Sequence, residues 1–171
     1  MPSNHELMRN SEKGGEGDPK LDNPNIISGM GDYANYLIGK WHVGKTVLPR
    51  DFGFRGHNFD GYGYPGSRVY KNMVFDQGPK QEPRYVEWLK ENNFEIPEVT
   101  NSYFGENPHL RVQELCGRLS GTREATLPFF VVDEAKKAVL EAKKENKPFF
   151  IWMNFWGPHT PCVIPEPYYS M

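Results

Sequence analysis

A lysine and a histidine stand one residue apart in the run Gly39-Lys40-Trp41-His42-Val43-Gly44. On an extended backbone alternate side chains point to one face, so Lys40 and His42 can present two donors to a single anion. The lysine brings a fixed positive charge, and the histidine brings a donor or a titratable proton. A second histidine, His159, sits in Pro158-His159-Thr160-Pro161, where two prolines stiffen the chain and present the imidazole at low entropic cost. Taken cluster by cluster, the same residues also fit a solvent lysine with a core histidine beside Trp41, and an ordinary histidine in a turn.

Both clusters fall at the ends of expected strands. The aromatic and β-branched run Tyr33–Gly39, with glycine at its end, predicts a short buried strand followed by Lys40-Trp41-His42. The continuous apolar run Phe149–Phe155 predicts a strand buried on both faces, with Gly157-Pro158-His159 just beyond it. Between them, Val43–Ser67 reads as a long structured loop, because Gly, Pro, Phe and Tyr recur there without period. Tyr85, Trp88 and Leu89 predict a short helix over Arg84–Asn92. Glu95–Ser120 is weakly patterned and interrupted by Pro97 and Pro108. A clearer helix is expected over Asp133–Asn146. Val132, Ala135, Val139 and Ala142 recur three and four apart there, Asp133 suits the first turn, Lys143 and Lys144 suit the last, and Pro148 is the stop. Met1–Pro24 is polar, Gly-rich and loop-like. Helix, turn, buried strand and polar residues at the strand's carboxyl end make an α/β pattern, and such sheets bind ligands at that end.

Taken together and in order, the motifs resemble those of the sulfatase family. Gly39–Gly44 is similar to its GKWHxG motif. Pro148-Phe149-Phe150 through Phe155-Trp156-Gly157-Pro158-His159-Thr160-Pro161 is similar to its PFF strand ending in PHTP, and Pro2-Ser3-Asn4-His5 resembles the segment after its nucleophile helix. The resemblance implies a partial alkaline-phosphatase-like α/β sandwich over residues 1–171, with a mostly parallel central sheet flanked by helices. It implies hydrolysis of a sulfate ester to an alcohol and sulfate. Lys40 would contact the sulfate and the modified nucleophile. His42 would hydrogen-bond the nucleophile's hydroxyls, and His159 would donate to the ester and stabilise the leaving oxygen. Such an anion spreads charge over its peripheral oxygens in the transition state, which preorganised cationic donors stabilise.

The family's nucleophile is a formylglycine made from Cys or Ser in a C/S-x-P-S-R motif, and this sequence has no such motif. Cys116-Gly117-Arg118-Leu119-Ser120 lacks the Pro-Ser-Arg order and stands between the two motifs, so Cys116 is not assigned that role. The family's calcium-binding acidic residues have no counterparts in the matched stretch. The expectation is therefore a domain lacking its nucleophile and metal-ligand segments at the two ends, with calcium as cofactor of the full-length parent, no metal ligand within this chain, and no turnover by the chain alone. Removing flanking strands would leave Leu37-Ile38 and Phe149–Met153 as exposed apolar edges. Two other readings remain: a phosphonate or phosphate ester hydrolase of the same superfamily, and a non-catalytic sulfate- or glycan-binding remnant in which Trp156 lies beside the clamp.

Composition narrows the partners. Of 171 residues, 37% are hydrophobic and 25% charged, with net charge −2 and no block of like charge, which disfavours nucleic acid and anionic membranes as partners. No run approaches the roughly 20 apolar residues of a membrane span. The aromatic share of 14% suits an aromatic core or carbohydrate contact. A sulfated small molecule or glycan is the expected partner. Cys116 and Cys162, the two cysteines, make neither a disulfide framework nor a zinc site.

Overall fold

The computed structural model describes residues 20–22, 25–41, 47–59, 84–107, 111–159 and 161–171. Its strands are β1 (Ala34–Lys40), β2 (Arg55–Phe59), β3 (Val99–Asn107), β4 (Arg111–Leu119), β5 (Phe149–Asn154) and β6 (Cys162–Pro165). Its helices are α1 (Arg84–Glu91) and α2 (Leu127–Lys144), with short 3-10 turns at Ile26–Gly29, Pro49–Phe52 and Arg123–Ala125. The described residues make a mixed α/β arrangement with two three-stranded sheets, ordered β2-β1-β5 and β3-β4-β6. No helix among the described residues is long and apolar enough to cross a membrane.

The chain divides into two compact units, Met1–Asp60 with Glu134–Asn154, and Gly61–Asp133 with Phe155–Met171. In the first, β1 pairs in parallel with β2 on one side and β5 on the other, so that Tyr36 lies level with Arg55 and Ile151. As the central strand, β1 is buried from Ala34 to Gly39, with Leu37 and Ile38 each 1% exposed. On one face Leu37 joins Ile27, Trp41 and Phe54, with Phe150 packed against them. On the other, the Arg55 guanidinium lies 5.9 Å from the Tyr36 ring centroid and pairs with Glu141 and Glu145, tying β2 to the end of α2.

The second unit is built around aromatic packing. Trp88 and Tyr85 of α1 meet Phe130 of α2, each at 5.5 Å between centroids. The Tyr85 hydroxyl donates to the Ala125 carbonyl, and the Trp88 indole donates to the Asp133 carboxylate at 2.8 Å. Strands β3 and β4 form an antiparallel hairpin, with its register shifted between Thr100 and Phe104, and β6 adds in parallel to β4.

Several expectations are corrected. The stretch Glu95–Ser120 contains the β3–β4 hairpin. Its pattern is weak because Tyr103 and Phe104 are exposed and the irregular register breaks the period-two alternation. The expected loop Val43–Ser67 contains β2 and a 3-10 turn, while 42–46 and 60–67 lie outside the described residues. Helix α2 begins six residues before Asp133, directly after Thr126, with Pro128 in its first turn where a missing N–H costs nothing. Asp133 is thus mid-helix, Val132 is exposed, and the buried stripe runs through Leu127, Phe130, Val131, Ala135, Ala138 and Ala142. Strand β5 is not buried on both faces: among the described strands it is the edge of its sheet, with Phe149 45% and Trp152 39% exposed. The apolar pair Leu37-Ile38, expected at an exposed edge, is instead enclosed between β2 and β5.

Candidate functional site

Lys40 is the last residue of β1 and is half-buried. Burial lowers its ammonium pKa from the ordinary 10.5, since desolvation penalises the charged form. It is therefore not the freely solvated lysine that its sequence context also allowed. The backbone around it is fixed by β5: the Asn154 side-chain amide donates to the Lys40 carbonyl at 3.0 Å, and Gly39 lies level with Asn154 in the ladder. Gly39 has φ +111°, and a Cβ there would stand 1.9 Å from the Asn154 carbonyl oxygen. Only glycine fits that approach.

Trp41 follows Lys40 into the core. It is 9% exposed, packs against Phe52 at 5.8 Å and Trp152 at 6.4 Å, and its indole donates to the Val47 carbonyl at 2.8 Å. That bond ties together the chain on either side of 42–46. His42 itself lies outside the described residues, as do Thr160 and the Pro2–His5 segment.

His159 belongs to the second unit and is exposed. It sits in a turn closed by its own N–H to the Trp156 carbonyl, 3.2 Å, with Gly157–Pro158 cis. Its ring centroid lies 4.6 Å from that of Trp156, tilted by 43°. Trp156, placed beside the clamp in the remnant reading, is half-buried and makes this contact with the candidate imidazole. The Cys162 thiol donates to the Pro158 carbonyl at 3.4 Å and so fastens the same turn from its far side. Lys40 lies in the first unit.

Asn154 was not among the sequence candidates. Its signal was a polar residue closing the otherwise apolar run Phe149–Met153. Among the described residues no group of three or more His, Cys, Asp or Glu side chains is placed to hold a metal ion. No protein-family model matches the chain.

Proposed function

We propose that this chain carries the anion-binding part of a sulfate-ester hydrolase centre, in a fold of the sulfatase type within the alkaline-phosphatase superfamily. The observation that carries the reading is the pairing of the two motif-bearing segments. Lys40 ends β1, Asn154 ends β5, and the strands are adjacent, parallel and level at Gly39 and Asn154. Both segments thus run out at one carboxyl edge, where parallel α/β sheets bind ligands.

In this proposal the Lys40 ammonium neutralises a peripheral sulfate oxygen. Its half-burial strengthens that attraction relative to open water. His42 and His159 donate to the remaining oxygens, and His159 protonates or stabilises the leaving alkoxide. Trp156, with its ring centroid 4.6 Å from that of His159, orients the imidazole. Calcium is the cofactor of the proposed whole centre.

Because the sequence contains no C/S-x-P-S-R segment, the chain alone is expected to bind sulfate without turning over sulfate esters. The test is a sulfate titration followed by NMR on Lys40 and His159, with nitrophenyl sulfate and nitrophenyl phosphate assayed with and without calcium. One saturation curve for both side chains is expected. Lys40→Ala and His159→Ala should each weaken binding about 10- to 100-fold, the worth of a charge-assisted hydrogen bond. Sulfate binding untouched by both substitutions, or separate curves at the two residues, overturns the proposal.

A further inference from the structure

The two cysteines, which the proposed reaction does not use, face each other across a strand pair. Cys116 of β4 and Cys162 of β6 are directly level in the parallel ladder. Level residues on neighbouring strands project from the same face of a sheet. Adjacent strands lie about 4.8 Å apart, inside the roughly 4.4–6.8 Å between Cα atoms that a disulfide spans. Both are free thiols and both are half-exposed. The same face carries the exposed Tyr103, which pairs with Cys116 from the other side.

We propose that Cys116 and Cys162 form a modification site: an intrachain, cross-strand disulfide made by exchange with a low-molecular-weight disulfide of the glutathione type. One cysteine, as thiolate, attacks a sulfur of the reagent disulfide. That bond breaks, and one thiol leaves with the proton the cysteine gave up. The second cysteine then attacks the protein sulfur of the mixed disulfide and expels the other thiol. Two protein thiols are oxidised by two electrons, and one reagent disulfide is reduced to two thiols. Strand β6 is short, Cys162–Pro165, and lies at the sheet edge, so it can take up the small movement the bond requires.

The consequence reaches the His159 turn. The Cys162 thiol is the donor to the Pro158 carbonyl, and a disulfide sulfur has no proton to give. Oxidation therefore removes one tie from the residue preceding His159. The disulfide itself does not depend on the sulfate-ester reading.

The test incubates the reduced full chain with oxidised glutathione, alkylates the remaining thiols and maps peptides without reduction. A peptide pair joined Cys116 to Cys162 within a monomer is expected. It should form at least about tenfold faster than in concentrated urea, because the fold holds the second thiol next to the first. Cys116→Ser and Cys162→Ser should each stop at a glutathione adduct on the remaining cysteine. The His159 ring resonances should shift on oxidation of the wild type and stay in place in Cys162→Ser, whose hydroxyl keeps a proton for the Pro158 carbonyl. Two separate adducts on the wild type, a cross-link between chains, or an equal rate in urea overturns the site. Unmoved His159 resonances in the cross-linked protein overturn its coupling to the turn.

Discussion

The side-chain amide of Asn154 donates to the backbone carbonyl of Lys40 at 3.0 Å, joining the last residues of two adjacent parallel strands. It meets the candidate lysine through its backbone, so it orients the strand end rather than neutralising the ammonium. One residue earlier, at Gly39, the Asn154 backbone leaves no room for a Cβ.

Gly39→Ala should therefore destabilise the first unit. A non-glycine residue at φ +111° is strained, and its Cβ would collide with the Asn154 carbonyl. Such strain costs on the order of 1–3 kcal/mol, before any cost of separating the strands. Urea unfolding should show a lower midpoint, with hydrogen exchange quickened in β1 and β5. A midpoint equal to wild type would show that the close approach is not kept in solution.

Asp133 sits mid-helix and accepts the Trp88 indole N–H at 2.8 Å, with Trp88 only 3% exposed. Asp133→Ala leaves a buried donor unsatisfied and should cost about 1–3 kcal/mol. Asp133→Asn keeps an acceptor and should lose less than half of that. Thermal unfolding read by tryptophan fluorescence ranks the two, and the reverse order would refute the role given to this bond.

Acid should weaken the link between β2 and the end of α2. The Arg55 guanidinium holds the Glu145 carboxyl below its ordinary value of 4.5. The unfolded chain thus binds more protons at that site than the folded one as pH falls. The contribution is fully present above 4.5 and is lost as pH drops through the depressed folded value. Unfolding measured from neutrality down to about pH 3 should show a steeper loss for wild type than for Glu145→Gln. Parallel profiles would mean that this exposed pair contributes nothing measurable.

Lys40 carries the opposite signature. Burial lowers its pKa below 10.5, so between the folded value and 10.5 the unfolded chain holds the extra proton. Stability at this site accordingly rises with pH through that window. An NMR titration of the lysine side chains should place the Lys40 midpoint below 10.5, and Lys40→Met should flatten the alkaline part of the stability profile. A Lys40 midpoint at or above 10.5 contradicts the half-buried placement.

Local signals in the sequence sufficed for much of the secondary structure. The run Tyr33–Gly39 became β1 within a residue, and Arg84–Asn92 became α1, because short apolar periods bounded by glycine and polar residues carry their own boundaries. The strand at Phe149–Asn154 and the helix stop before Pro148 were legible for the same reason. The motif positions Lys40 and His159 could also be named from residue types and order.

What needed the tertiary structure was every property set by a neighbour far along the chain. That β1 is central and β5 an edge is decided by the pairing order, so two similar apolar runs ended with opposite burial. The β3–β4 hairpin was hidden because its stabilising contacts are between strands, while its own side chains alternate poorly. The start of α2 was misplaced although Thr126 and Pro128 mark it, because the continuous apolar run Phe129–Val132 conceals the helical period. Asn154 gained its role, Gly39 its necessity and Cys116 its partner Cys162 through strand register. Which distant strands are brought level depends on which faces are buried together, and that pairing is not visible in local spacing.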